Sequence, residues 1–348
     1  MTIHKHNHWD TRPDVSCLVP LPSRKLSLFA HASGPARRPG DPLVIFFTGA
    51  GGPAASYVKV QQHLSRFVRT LFFDRAGYDL STLPQDGQDD GSTPLTAQDG
   101  AKDLDVLLQT LDLAPPYILV GHSFGGIPLR EFMHSKLQGA KSTGVTDIIA
   151  GIVLYDTGAE LAFDLYPRIP SAELVVISED VDWVALTHLR EQSGMTDDEW
   201  NYIPGAMERT YRKLEVRKED THGSAHCLAL KRQLECHAYD GGILSVVRCN
   251  STSDYQLLYD EGVKLGAGTD EQREKARQFI QSWSLFNCQI VRAQMDLVGQ
   301  KGTVKYTYHD DWGHDSPVRK PALVGEQVRW VLAELGKRRV AQTDKQGW

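Results

Sequence analysis

Hydrophobic positions along the chain fall into two alternating kinds of run. Short stretches rich in aliphatic and β-branched residues occur at 15–19, 25–31, 42–47, 69–73, 117–120, 148–155, 242–248 and 303–308. Several are apolar throughout, as strands buried on both faces are. Between them lie longer stretches with helical spacing, at 55–65, 95–111, from the glycines at 125 and 126 to about 137, at 270–298 and at 321–335. Strands alternating with helices predict an α/β fold, with a mostly parallel central sheet flanked by helices. The alternation stops at 157–240, a stretch dotted with Trp183, Trp200, Tyr202 and Tyr211. It reads as a helical cap inserted into a core made of 15–156 and 241–336. Residues 1–14, polar and carrying His4, His6 and His8, read as a flexible tail, and 337–348, basic and polar, as a second one. The polar, Gly-punctuated stretch 85–94 reads as a surface loop.

Composition narrows the classes open to such a chain. Its 348 residues are 41% hydrophobic and 24% charged, with a net charge of -6, ordinary for a soluble globular protein. No strongly basic region invites nucleic acid, and no apolar run is long enough to span a bilayer. The N-terminus lacks the apolar region of a signal peptide. Five cysteines, widely spaced and without a CxxC pair, imply reduced thiols and a cytoplasmic protein rather than a disulfide framework. No ligand set for a metal is clustered, and the Gly-rich segment 48–52 lacks the Lys-Ser/Thr of a phosphate loop, so neither metal nor organic cofactor is implied. The expected partner is a small-molecule substrate, and the oligomeric state is left open.

The segment Gly121-His122-Ser123-Phe124-Gly125-Gly126 follows an apolar strand and opens a helix. That context turns the pattern G-x-S-x-G into a candidate nucleophile elbow. A serine on so tight a strand-to-helix turn adopts a strained conformation, and glycines around it remove the clashes that larger neighbours would make. The helix N-terminus beneath it favours developing negative charge.

With this motif the chain resembles the α/β-hydrolase superfamily, and four further segments agree in order. Thr48-Gly49-Ala50-Gly51-Gly52 stands after the third strand, where that family carries its oxyanion loop. The resemblance implies the backbone N–H groups of Ala50 and Phe124 as oxyanion donors, with Thr48 where a His is usual. Asp74-Arg75-Ala76-Gly77-Tyr78-Asp79-Leu80-Ser81 is similar to the family's D-x-x-G-x-G-x-S segment, with Asp79 in place of the second Gly, and implies an architectural role. Asp310-Asp311-Trp312-Gly313-His314-Asp315 after the last strand places a Gly-His pair at the position of the family's base. The helix at 321–335 stands where the last helix of that fold belongs. His309 competes with His314 but lacks the preceding Gly.

An acid must orient the imidazole from the end of a neighbouring strand. Asp156 ends the strand at 148–155, and Asp254 follows the strand at 242–248 at greater length than usual. Position at the strand end favours Asp156, and Asp254 remains the alternative. These residues predict a serine hydrolase of carboxylesterase or lactonase type. It would act on an ester, lactone or thioester of a medium-sized, largely apolar compound, with cap aromatics, Trp283 and Phe286 as candidate pocket lining. With its cap the chain also resembles hydrolases of fungal secondary metabolism, which implies a natural product as substrate. The same scaffold accommodates a non-hydrolytic elimination, retro-aldol cleavage or cyclisation, or a ligand receptor with little turnover.

Overall fold

A computed structural model describes residues 7–85, 93–138 and 144–346. Its centre is one eight-stranded sheet, ordered β1-β2-β4-β3-β5-β6-β7-β8. The strands are β1 (Asp14–Leu21), β2 (Leu26–Ser33), β3 (Leu43–Phe47), β4 (Arg69–Phe73), β5 (Tyr117–His122), β6 (Ile149–Tyr155), β7 (Ile243–Cys249) and β8 (Thr303–His309). β1 and β2 are antiparallel to each other, and β2 is antiparallel to β4. The remaining pairings are parallel. Every residue of β3, β4, β5 and β6 is buried, because helices cover both faces, and this burial explains the nearly continuous apolar runs of β3 and β6.

One face is covered by α1 (Val58–Leu64) and the last helix, and the other by α2 (Ala97–Thr110) and α3 (Gly126–Gln138). Between β6 and β7 the chain forms six helices: α4 (Glu160–Leu165), α5 (Ala172–Ile177), α6 (Trp183–Thr187), α7 (Leu189–Ser193), α8 (Asp197–Val216) and α9 (Thr221–Ala229). After β7 come α10 (Ser251–Lys264) and α11 (Asp270–Ala293), and after β8 the closing helix α12 (Pro321–Gln346).

Five features depart from the sequence reading. α10 was not foreseen: the Asn250 side chain accepts from Ser253 N–H and starts a helix directly after β7. The apolar core of the insertion is not closed within 157–240. Ala162, Tyr166, Leu174 and Ile177 pack on Phe279, Ile280 and Trp283, so α10 and α11 share that core. Residues 8–14 are not a loose tail. Trp9 is buried, its carbonyl accepts from the guanidinium of buried Arg69, and Asp14 already belongs to β1. The basic stretch from 337 continues α12 to Gln346, with Arg338 donating to Gly242 O at 3.0 Å. Phe286 points outward, 45% exposed, and does not share the cavity that Trp283 lines. His4, His6 and most of the 85–94 loop lie outside the described residues.

Candidate active site

Strand register brings the expected residues together. Phe47 pairs with Gly121, and His122 with Tyr155. The next residues of each strand therefore emerge side by side at one edge: Thr48 beside His122, and Ser123 beside Asp156. This is the carboxyl edge of the parallel strands. β4 and β5 flank β3 on opposite sides, so the chain changes winding direction here, the place where open α/β sheets take ligands.

Ser123 and Asp156 both leave their strands at positive φ, 56° and 46°. Conformations of this kind cost a non-glycine residue about 1–3 kcal/mol and persist where surrounding contacts impose them. Here they are imposed by close packing. A Cβ on Gly125 would lie 2.2 Å from Phe47 O, so only glycine lets the start of α3 tuck under β3. Gly158 N–H donates to Ser123 O at 3.0 Å, which ties the chain after β6 to the turn after β5.

His314 meets both candidate acids, through different atoms. Its ring Nδ1–H donates to Asp156 Oδ2 at 2.6 Å, whereas its backbone N–H donates to Asp254 Oδ2 at 2.6 Å. The other oxygen of Asp156 accepts from Cys249 N–H at 2.9 Å, so the buried carboxylate is held on both sides. A Cβ on Gly313 would lie 1.9 Å from Asp254 Oδ1, so the glycine before His314 is what lets the loop close onto that carboxylate. His309 stands apart, with its ring stacked 6.1 Å from that of Tyr155.

The electrostatics follow from this arrangement. Burial alone would raise the pKa of Asp156, but the hydrogen bond and charge of His314 outweigh it and hold the carboxyl below its ordinary value. Burial would lower His314, and the bond and charge of Asp156, with Asp254 and Asp315 nearby, raise it instead. Its side chain keeps 43% of its surface open, on the side of the cavity described below. Asp254 is pushed up to about 6, by burial first and by the charge of Asp315, against the opposing bond from His314 N–H.

The Gly-rich loop after β3 lies over Ser123: a Cβ on Gly49 would approach Ser123 Cβ to 3.1 Å. Its N–H groups divide the work. Gly49 donates to Tyr57 Oη at 3.3 Å and Gly51 to Tyr78 Oη at 2.8 Å. Among the described residues, the N–H groups of Ala50 and Phe124 donate to nothing.

Sequence reasoning missed the two networks behind this loop. His122, the x of the serine motif, is buried. Its Nε2 faces the carbonyl oxygen of His314 at 2.9 Å, an atom that only accepts, so Nε2 carries the proton and Nδ1 accepts from Tyr57 Oη–H at 2.8 Å. Burial and the neighbouring charge of His314 push His122 down to about 3, which keeps it neutral. On the other side, Arg75 donates to Thr48 O at 2.7 Å and Gly49 O at 3.1 Å and pairs with Glu219 of the insertion at 2.9 Å. Asp79 anchors α8, accepting from Arg209 at 2.7 Å and from Tyr202 Oη at 2.8 Å. The carboxylate in place of the expected Gly therefore fastens the insertion to the core.

Ala50, Ser123, Phe124, Asp156, Asp254 and His314 open into one cavity of about 540 Å³. Its remaining walls are largely apolar and come from the insertion and from α10 and α11, with Phe163, Trp183, Leu258 and Trp283 among them. Ser123 Oγ makes no hydrogen bond to His314 in this structure; such contacts are often loose without substrate.

The sequence profile of the alpha/beta hydrolase family matches residues 44–326. The chain belongs to that family. Among its relatives, an AB hydrolase superfamily protein of Gibberella zeae is 24% identical over 313 residues, covering 88% of this chain and 91% of that one. A Hormonema carpetanum protein assigned as a transporter, efuK, is 28% identical over 349 residues; the match takes in 99% of this chain but only 46% of that protein's length. In fold the hydrolase is similar to a Pseudomonas aeruginosa protein assigned as an epoxide hydrolase, with TM-score 0.59 and 12% identity over 94% of this chain and 97% of that one. It is similar also to a Burkholderia cenocepacia protein assigned as an aryl esterase, with TM-score 0.51 and 15% identity over 95% and 99% of the two chains.

Proposed function

We propose that this alpha/beta hydrolase cleaves an ester, lactone or thioester of a medium-sized, largely apolar compound through an acyl-enzyme on Ser123. The observation that carries the reading is a serine at φ 56° at a helix start, facing the same cavity as a His314–Asp156 hydrogen bond of 2.6 Å. Ser123 Oγ attacks the carbonyl carbon while its proton passes to Nε2 of His314. Asp156 keeps Nδ1 protonated and stabilises the imidazolium. The oxyanion accepts from the N–H groups of Ala50 and Phe124, which are free to receive it. Collapse expels the alcohol or thiol, which takes the proton from His314. Water, deprotonated by the same imidazole, then attacks the acyl-serine and releases the acid. The helical insertion serves as the cap of this site.

A serine nucleophile favours acyl transfer over epoxide opening. Attack on an epoxide by Ser123 would leave an ether, which water activated by a histidine does not cleave. The five cysteines are all unpaired, which supports a reducing, cytoplasmic compartment. Rapid mixing with short- and medium-chain p-nitrophenyl esters tests the proposal. A burst of nitrophenol followed by slower turnover, both absent in Ser123→Ala, is expected. Turnover that survives in Ser123→Ala, or wild type inert towards every ester, overturns it.

A further inference from the structure

The cavity walls are mostly apolar, which makes a polar group among them informative. Asn287, on α11, is 3% exposed and lines the cavity. Its Oδ1 accepts from Arg248 Nε at 2.7 Å. That bond fixes which way the amide faces, since an arginine can only donate. The amide nitrogen is then turned away from Arg248, and among the described hydrogen bonds it donates to nothing, although it is not sealed from solvent-sized space. Asn287 is one of the residues lining the cavity, so an unpartnered donor on it is within reach of a ligand bound there. Tyr255, on α10, also lines the cavity, and its hydroxyl makes no hydrogen bond to a described residue. Two of the other polar groups on the wall are engaged: Ser251 Oγ accepts from Trp283 Nε1 at 2.9 Å, and Thr157 Oγ1–H donates to Gln294 Oε1 at 2.9 Å.

We infer that Asn287, oriented by Arg248, is a specificity residue that donates a hydrogen bond to a neutral acceptor on the substrate, remote from the carbonyl under attack. The acceptor class is a ketone, ester or lactone carbonyl, an ether or a hydroxyl. A carboxylate is disfavoured, because among the described residues no Lys or Arg lines the cavity whereas Asp156, Asp254 and Asp315 do. Burying an amide N–H against a purely hydrocarbon ligand forfeits its bond to water, whereas a ligand acceptor restores it. This role rests on the hydrolase reading for the identity of the attacked carbonyl, whereas the binding contact itself does not require turnover.

The test uses p-nitrophenyl esters of one straight-chain acid, with a ketone moved along the acyl chain. At one ketone position the wild type is expected to exceed the unsubstituted ester by about tenfold in kcat/KM, the yield of one neutral hydrogen bond. Asn287→Asp keeps the acceptor for Arg248 and removes the donor, and Asn287→Leu removes both. Both variants are expected to lose the preference while hydrolysing the unsubstituted ester within about twofold of wild type. A preference that survives in Asn287→Asp, or no preference at any ketone position, overturns the inference. If no ester turns over, the hydrolase reading fails separately. Thermal stabilisation of Ser123→Ala by the corresponding methyl esters then decides whether the keto ligand binds better and whether Asn287→Asp abolishes the difference.

Discussion

Two carboxylates touch His314, one on the imidazole and one on the backbone. In the proposed mechanism, with His314 as base, only Asp156 senses the proton being moved, because it accepts from ring Nδ1, whereas Asp254 accepts from the main-chain N–H and holds the loop. Asp156→Asn is therefore expected to lower kcat on the order of a thousandfold or more, and Asp254→Asn by about tenfold or less. The pH profile carries the same distinction. The base works when neutral and its pKa is raised, so kcat/KM rises with pH through an inflection above the ordinary imidazole value; Asp156→Asn moves that inflection to lower pH. For stability the sign is opposite at Asp254. Its folded pKa of about 6 lies above the ordinary carboxyl value, so the folded chain binds this proton more tightly and loses stability as pH rises through 6. Asp254→Asn should flatten that decline in thermal unfolding measured between pH 4 and 6. An equal loss of activity in the two variants would contradict these assignments. Position at a strand end was enough to favour Asp156 from sequence, but the backbone contact of Asp254 depends on α10, which the sequence did not reveal.

The Gly-rich loop after β3 is the element on which the proposed oxyanion chemistry depends. It is held from two sides, by Tyr57 with His122 and by Tyr78 with Arg75 and Glu219. Both tyrosines bind N–H groups adjacent to Ala50 and leave that donor unpaired, on a residue that lines the cavity. Tyr57→Phe and Tyr78→Phe each free one flanking N–H without adding bulk. Each is expected to lower kcat by about tenfold with KM nearly unchanged, since the donor matters most when charge develops. A rise in KM at constant kcat would place the tyrosines in ground-state binding instead. Local pattern made the loop itself readable, because Gly-rich turns after apolar strands have few other structures open to them. Its bracing was not readable, because Tyr57, Arg75 and Glu219 are brought together from sequence separations that periodicity does not register.

At the scale of the whole molecule, the site is the seam between the sheet's carboxyl edge and a helical layer. All eight strands were legible because each is a short bounded run rich in aliphatic, aromatic or β-branched residues. The helical layer was legible only in part. Its second piece, α10 and α11, follows a resumed strand pattern and reads as core, yet Tyr259, Phe279 and Trp283 pack on the first piece rather than on the sheet. Mutual burial of two segments separated by a strand leaves no local signature. Whether this assembly activates Ser123 is tested most directly with a fluorophosphonate probe, followed by mass spectrometry of the labelled peptide. One covalent adduct on Ser123 is expected, absent in Ser123→Ala and strongly slowed in Asp156→Asn. A wild-type protein that stays unlabelled, or an adduct elsewhere that persists in Ser123→Ala, would contradict it.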